Sequence, residues 1–298
     1  MADGLPAPSS GELVFSATRE IGETYSVGET PYGERVIIGI DGGNTTGRLD
    51  ATFLSGGFDF ELTLSNGAVE LEQIDVLRAD DGSLIYLRSC GVAPAGSAEV
   101  RIVPDFEVAN SSDLAWLNTG VFVGTRVVDT QANSVRLEVY DVSNVEPSGP
   151  RIELSDPEGV PQQPWECSTE TGARGATVFT ENVTLGSSLS VGQSKRGTRN
   201  IIPITGGTLS GRVNGTVVPG GADYQLLGGA TVLDARYALA SDDGEYILVR
   251  NCGPIGALVP LFETRADGPY AFLNEGAFLS SDPGVGGGGV SITFYERQ

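Results

Sequence analysis

Four side chains in the last third of the chain have the types and spacing of a proton-transfer site: Asp223, Asp234, Arg236 and Glu263. Successive side chains of a strand point to opposite faces. Residues 231–239 therefore set Asp234 and Arg236 beside Val232 on one face, with Ala235 and Tyr237 on the other. Asp223 precedes that strand in an alternating segment, and Glu263 follows it in VPLFET. Carboxylates gathered round one guanidinium can orient a carbonyl or carboxylate oxygen, and like-charge repulsion can keep one of the acids protonated. Arg236 is the expected anchor because it stays charged at any working pH. Asp223 is the expected acid/base, and Glu263 would orient the arginine or share its proton. Asp234, Tyr237, Tyr224 and Asn274 are expected to contact the substrate. A closed ion-pair cluster in a barrel end, or a solvated outer face, would use the same residues and stays open at this stage.

Composition removes other chemistries. The chain has 298 residues, a net charge of −21 and no histidine. That charge repels phosphate backbones and anionic lipid surfaces, so neither nucleic acid nor a membrane is expected as partner. Without histidine, the serine and cysteine triads and most zinc sites fall away. The three cysteines, Cys90, Cys167 and Cys252, are scattered and make no paired motif. They suggest neither a metal cluster nor a disulfide framework, and a reducing, cytoplasmic setting is the expectation. The opening MADGLPAPSSGEL lacks a basic and apolar leader pattern. No apolar run reaches the ~18–20 residues of a spanning helix. Sequons at Asn44, Asn110, Asn182 and Asn214 read as chance matches in that setting.

The residues that would position the site belong to a duplicated pattern. Residues 206–252 repeat the landmarks of residues 42–90 in order: paired glycines, Gly211 for Gly47, Gly220-Gly221 and Asp223 for Gly56-Gly57 and Asp59, Asp242-Asp243-Gly244 for Asp80-Asp81-Gly82, and Cys252 for Cys90. VPDFEV at 103–108 likewise answers VPLFET at 259–264, and AWLN at 115–118 answers AFLN at 271–274. Such order points to tandem copies. The expected domains are a first barrel over residues 12–143, a proline-bearing linker over 144–175 containing Trp165, and a second barrel over 176–298. Short alternating runs with glycine turns predict an all-β fold of two tandem antiparallel β-barrels. Residues 25–33 and 189–197 read as loops, the paired glycines at 42–43 and 206–207 as tight turns, and both double aspartates as hairpin turns.

The copies differ where chemistry is expected. Ile74 stands at the position of Arg236 and Glu72 at that of Asp234, while Asp59 and Glu107 match Asp223 and Glu263. One site, in the second copy, is the expectation.

The strings GGTLSGRVNGTVVPGGADY, VLDARYALASDDGEYILVRNCG and VPLFETRADGPYAFLNEGAFLS resemble the small β-barrel family catalogued as domain of unknown function 3237. The resemblance is close over residues 178–295 and looser over 13–140, where Ile74 breaks the DARY pattern. It implies a closed antiparallel barrel and picks out Gly221, Asp223, Arg236, Tyr237, Glu263 and Asn274; it implies no agreed activity. The expected function is a cofactor-independent cyclase, isomerase or lyase of secondary metabolism. It would act on a largely apolar small molecule by proton transfer and positioning. A non-catalytic small-molecule carrier and a structural or assembly protein are the alternatives. No metal or other cofactor is expected, and a homo-oligomer is left open.

Overall fold

The computed structural model describes residues 6–129, 131–146, 167–168, 172–286 and 289–298. Most of the expected linker, Trp165 included, lies outside the described residues. The chain divides into two compact units. Unit 1 is Met1–Tyr25, Gly33–Ser155 and Val191–Arg196; unit 2 is Ser26–Tyr32, Asp156–Ser190 and Gly197–Gln298. The fold is all-β, with a barrel built from each copy.

The first copy supplies β1 (Glu12–Thr30), β2 (Gly33–Gly47), β3 (Ala51–Phe53), β4 (Gly57–Thr63), β5 (Val69–Ala79), β6 (Leu84–Ala93), β7 (Glu99–Val108), β8 (Phe122–Asp129) and β9 (Ser134–Asp141). These form one antiparallel sheet in the order β1-β9-β8-β7-β6-β5-β3-β2-β4, closed by additional β1–β2 and β4–β5 pairing. Closure leaves no long unpaired edge. Strand β9 shows why the segments are strands: Val135, Leu137 and Val139 are buried while Arg136 and Glu138 face out. Inside, Phe15 packs edge-on against Phe53 and Phe106, and Phe106 against Phe122.

The second copy supplies β10 (Arg174–Leu185), β11 (Leu189–Ser194), β12 (Gly197–Gly211), β13 (Gly215–Val217), β14 (Ala222–Leu227), β15 (Val232–Ser241), β16 (Tyr246–Pro254), β17 (Val259–Glu263), β18 (Phe278–Ser280), β19 (Gly284–Gly286) and β20 (Gly289–Arg297). Its path runs β17-β16-β15-β13-β12-β10-β20-β18, with β14 paired to β12 and β15. The Ser280 N–H donates to the Leu258 carbonyl across the seam at 3.3 Å, which makes the sheet barrel-like. Phe179, Phe262 and Phe294 form the aromatic centre, with Phe278 against Phe262. One helical turn in each copy, Ala115–Asn118 and Phe272–Glu275, carries an asparagine that clamps the end of a strand.

Two local expectations are corrected. Residues 25–33 and 189–197 are hairpin ends rather than loops: strand continues to Thr30 and to Ser194, only residues 31–32 and 195–196 turn, and Gly28 (φ 87°) and Gly192 (φ 93°) lie within the strands. The paired glycines lie within β2 and β12 rather than in turns. A Cβ on Gly43 would sit 2.5 Å from the Thr18 carbonyl oxygen, and one on Gly207 2.3 Å from that of Asn182. Glycine is needed there because two backbones cross closely, a role that looks like a turn in sequence. Both double aspartates do form the turns between long strands, with Gly82 and Gly244 at φ 86° and 87°.

Candidate functional site

Inside the second barrel, β10, β12, β14, β15, β16 and β20 enclose a cavity of about 80 Å³. Its walls are mainly aliphatic, with Val183, Ile204, Leu233 and Ile292 among them; Glu181, Asp223, Gln225, Tyr237 and Asn251 bring polar groups to it. Strand register explains the selection. Asp223 lies opposite Ala235 in the β14–β15 ladder, so both face inward with Tyr237, two residues along. Asp234 and Arg236 take the opposite face.

Glu181 is fully buried. The Tyr237 hydroxyl donates to its Oε1 at 2.6 Å, and its Oε2 is buried without a hydrogen-bond partner. Burial pushes its carboxyl up to about 8 against the lowering effect of the Tyr237 bond, so Glu181 is mostly protonated at neutral pH. The same burial, with Glu181 beside it, raises the Tyr237 phenol. Asp223 is better supplied: Gln225 Nε2 donates to Oδ2 at 2.7 Å, and the Asp234 backbone N–H to Oδ1 at 3.1 Å. Burial still raises it to about 6, with Asp234 adding to the rise and Arg199 opposing it. At neutral pH this pocket therefore holds one carboxylic acid and one carboxylate. Two acids with separated pKa values can give and take a proton across a bound molecule.

The other residues expected at the site lie elsewhere. Arg236 donates from Nε to Asp234 Oδ1 at 3.2 Å, and Arg250 donates to the same carboxylate at 2.9 and 3.1 Å. Burial alone would raise Asp234, but the two guanidiniums hold it near 2. This is a closed ion-pair cluster on the face away from the cavity. Within unit 2, Glu263 accepts from Thr30 Oγ1 at 2.9 Å. Asn274 brackets Thr264, accepting from its N–H and donating to its carbonyl, both at 2.9 Å. Tyr224 is buried on the face opposite Asp223, and its carbonyl accepts from Arg199. Asp223 and Tyr237 are thus brought together, whereas Arg236, Asp234, Glu263, Asn274 and Tyr224 are not among the residues lining the cavity. Glu181 was missed because it lies in β10, before the repeated landmarks, where Ala17 fills the matching place in the first copy. The available signal was a lone acid between Val178-Phe179 and Val183.

In the first barrel the corresponding positions carry buried ion pairs. Arg19 stands where Val183 does and donates to Asp75 at 2.9 and 3.1 Å and to Gln73 at 2.8 Å. Arg126 pairs with Asp59 at 2.6 Å and with Glu61 at 2.5 Å. Arg19, Asp59 and Asp75 are all fully buried. Glu72 pairs with Arg88, repeating the outer Asp234–Arg250 pair. Within unit 1, Glu107 accepts from Ser194 Oγ at 2.6 Å, as Glu263 does from Thr30.

The cysteine expectation is corrected. Cys167 and Cys252 form a disulfide, with Cα atoms 5.2 Å apart and 85 residues of separation, and Cys90 is not disulfide-bonded. The pairing was hidden because Cys167 lies outside the repeated pattern. Disulfides persist mainly in oxidising compartments, so a reducing, cytoplasmic setting is not carried forward. Among the described residues, no group of three or more Cys, Asp and Glu side chains is arranged to hold a metal ion. No helix among them is long and apolar enough to cross a membrane.

Fold and site together define a duplicated antiparallel β-barrel protein with an acid-bearing apolar pocket in its second barrel. The chain belongs to the family described as protein of unknown function (DUF3237), which matches residues 9–142 and 175–257. A UPF0311 protein of Bradyrhizobium diazoefficiens is 34% identical over 128 residues, covering 35% of this chain and 84% of that protein. A UPF0311 protein of Clostridium acetobutylicum is 41% identical over 80 residues, 26% of this chain and 51% of the relative. Among solved structures, a conserved protein of unknown function from Rhodopseudomonas palustris is 28% identical, covering 44% of this chain and 95% of its own, with a TM-score of 0.40. A solved structure described as an enzyme from Penicillium herquei is 20% identical, covering 46% of this chain and 96% of its own, with a TM-score of 0.36.

Proposed function

We propose that the second barrel binds a largely apolar small molecule and moves a proton on it without a cofactor, as an isomerase, cyclase or lyase does. The carrying observation is the pair of acids in the aliphatic pocket: Glu181 raised to about 8 and Asp223 to about 6. Perturbed acids in a cavity are the kind of group general acid–base catalysis uses. Asp223 acts as base, Glu181 as acid, and Tyr237 positions Glu181 through their hydrogen bond. Arg236 stays outside the pocket, in the ion pair that it and Arg250 make with Asp234. A cavity of about 80 Å³ is smaller than the ~150 Å³ apolar cavity that takes benzene. It therefore suits the reacting end of a substrate. A carrier without chemistry is the second reading, favoured by the aliphatic walls alone.

Mass spectrometry of molecules released from purified protein tests occupancy. Turnover of any molecule so found separates the readings. Loss in Asp223→Asn and Glu181→Gln with binding retained supports catalysis; unchanged turnover in both variants excludes it.

A further inference from the structure

We infer that the pocket selects an uncharged carbonyl compound, with its carbonyl oxygen at Glu181 Oε2 and an α-carbon facing Asp223. This rests on the proposed binding role of the second barrel and adds the substrate class.

The geometry supplies the argument. Glu181 Oε1 already accepts from Tyr237, so only Oε2 remains for a ligand. A protonated carboxyl offers a donor there, and a buried donor needs an acceptor. A carbonyl oxygen fits. A carboxylate fits badly: no lysine or arginine is among the described residues lining the cavity, and Asp223 would repel it. An ammonium would be drawn to Asp223, but at Glu181 it would meet a donor rather than an acceptor, and it would lose its hydration against aliphatic walls.

The proton balance closes. The Asp223 carboxylate removes an α-proton, the C–H electron pair forms the C=C bond, and the carbonyl π pair moves to oxygen. That oxygen takes the Glu181 proton, leaving an enol, a Glu181 carboxylate and a protonated Asp223. Reversal returns both protons, and solvent exchange at Asp223 between the two steps labels the carbon. The charged and titratable groups bearing on these acids are Tyr237 at Glu181, and Asp234 and Arg199 at Asp223. Asp223 must be ionised and Glu181 protonated, so activity rises through about 6 and falls through about 8.

The test uses three probes of equal size: butan-2-one, propanoate and sec-butylammonium. Ligand-observed NMR measures binding, and deuterium incorporation at the α-carbon of butan-2-one in heavy water measures chemistry. The expected result is binding of butan-2-one alone, with exchange above buffer that is bell-shaped in pH. Exchange should fall by ~10²-fold or more in Glu181→Gln and Asp223→Asn. Circular dichroism confirms that both variants are folded. Tyr237→Phe keeps the ring and should shift the alkaline limb. Propanoate or sec-butylammonium binding as tightly as butan-2-one overturns the substrate class and leaves the pocket reading standing. Binding of none of the three overturns both.

Discussion

The two barrels solve one problem in opposite ways. Each closes a sheet over an aromatic centre. The first completes its interior with ion pairs, Arg19 with Asp75 and Arg126 with Asp59 and Glu61. The second replaces the arginine at position 19 by Val183, Gln73 by Ala235 and Asp75 by Tyr237, and a cavity remains. Removing a guanidinium takes away both volume and counter-charge. Burial raises the acids of both interiors: Arg19 and Arg126 oppose the rise at Asp75 and Glu61, whereas at Glu181 the Tyr237 hydroxyl is the opposing group and at Asp223 Gln225, the Asp234 N–H and Arg199 are. The duplicated fold thus carries one interior crossed by buried ion pairs and one with a cavity.

The largest effect is expected in the first barrel. Arg19→Met strands a buried Asp75 and should destabilise unit 1 by about 3–5 kcal/mol, read by denaturant unfolding. Adding Asp75→Leu should recover most of that loss, because an apolar pair replaces a buried ion pair at little cost. Failure to recover would show that the cluster does more than fill space. In the second barrel, reducing the Cys167–Cys252 bond should cost about 2–4 kcal/mol, seen as an earlier melt of unit 2 alone. The first barrel, whose Cys90 is not disulfide-bonded, gives the internal control.

Glu181 should leave a signature in pH dependence. Its folded value of about 8 exceeds its ordinary 4.5, so its contribution is complete below 4.5 and is lost as pH rises to about 8. Across that window stability falls at up to about 1.4 kcal/mol per pH unit, because the unfolded chain ionises first. Glu181→Gln should flatten that slope in calorimetric melts. The smallest effect is expected for Arg236→Met, since Arg250 still holds Asp234. A cost of about 1–2 kcal/mol is expected, with butan-2-one affinity changed less than about two-fold.

Much of the architecture was legible in the residues, because duplication repeats its landmarks and hairpin turns have strong local signals. The double aspartates and alternating strands were readable for that reason. The interior glycines and the outer strand ends were not, since a glycine at a backbone crossing looks like one in a turn. Of the residues expected at the site, only Asp223 and Tyr237 line the cavity. Asp223 and Tyr237 stood out in repeated strands, but alternation does not say which face is inside. The DARY pattern drew attention to Arg236, whereas register puts Asp223 opposite Ala235 and faces it inward. Glu181 carried no repeat partner to mark it.

Diffraction from xenon-pressurised crystals would test the contrast between the barrels most directly, since xenon enters small apolar cavities and avoids filled interiors. One xenon site is expected, in the second barrel among Val183, Ile204, Tyr237 and Ile292. A site beside Arg19 and Asp75 in the first barrel, or none in the second, would contradict the division into one ion-paired and one cavity-bearing interior.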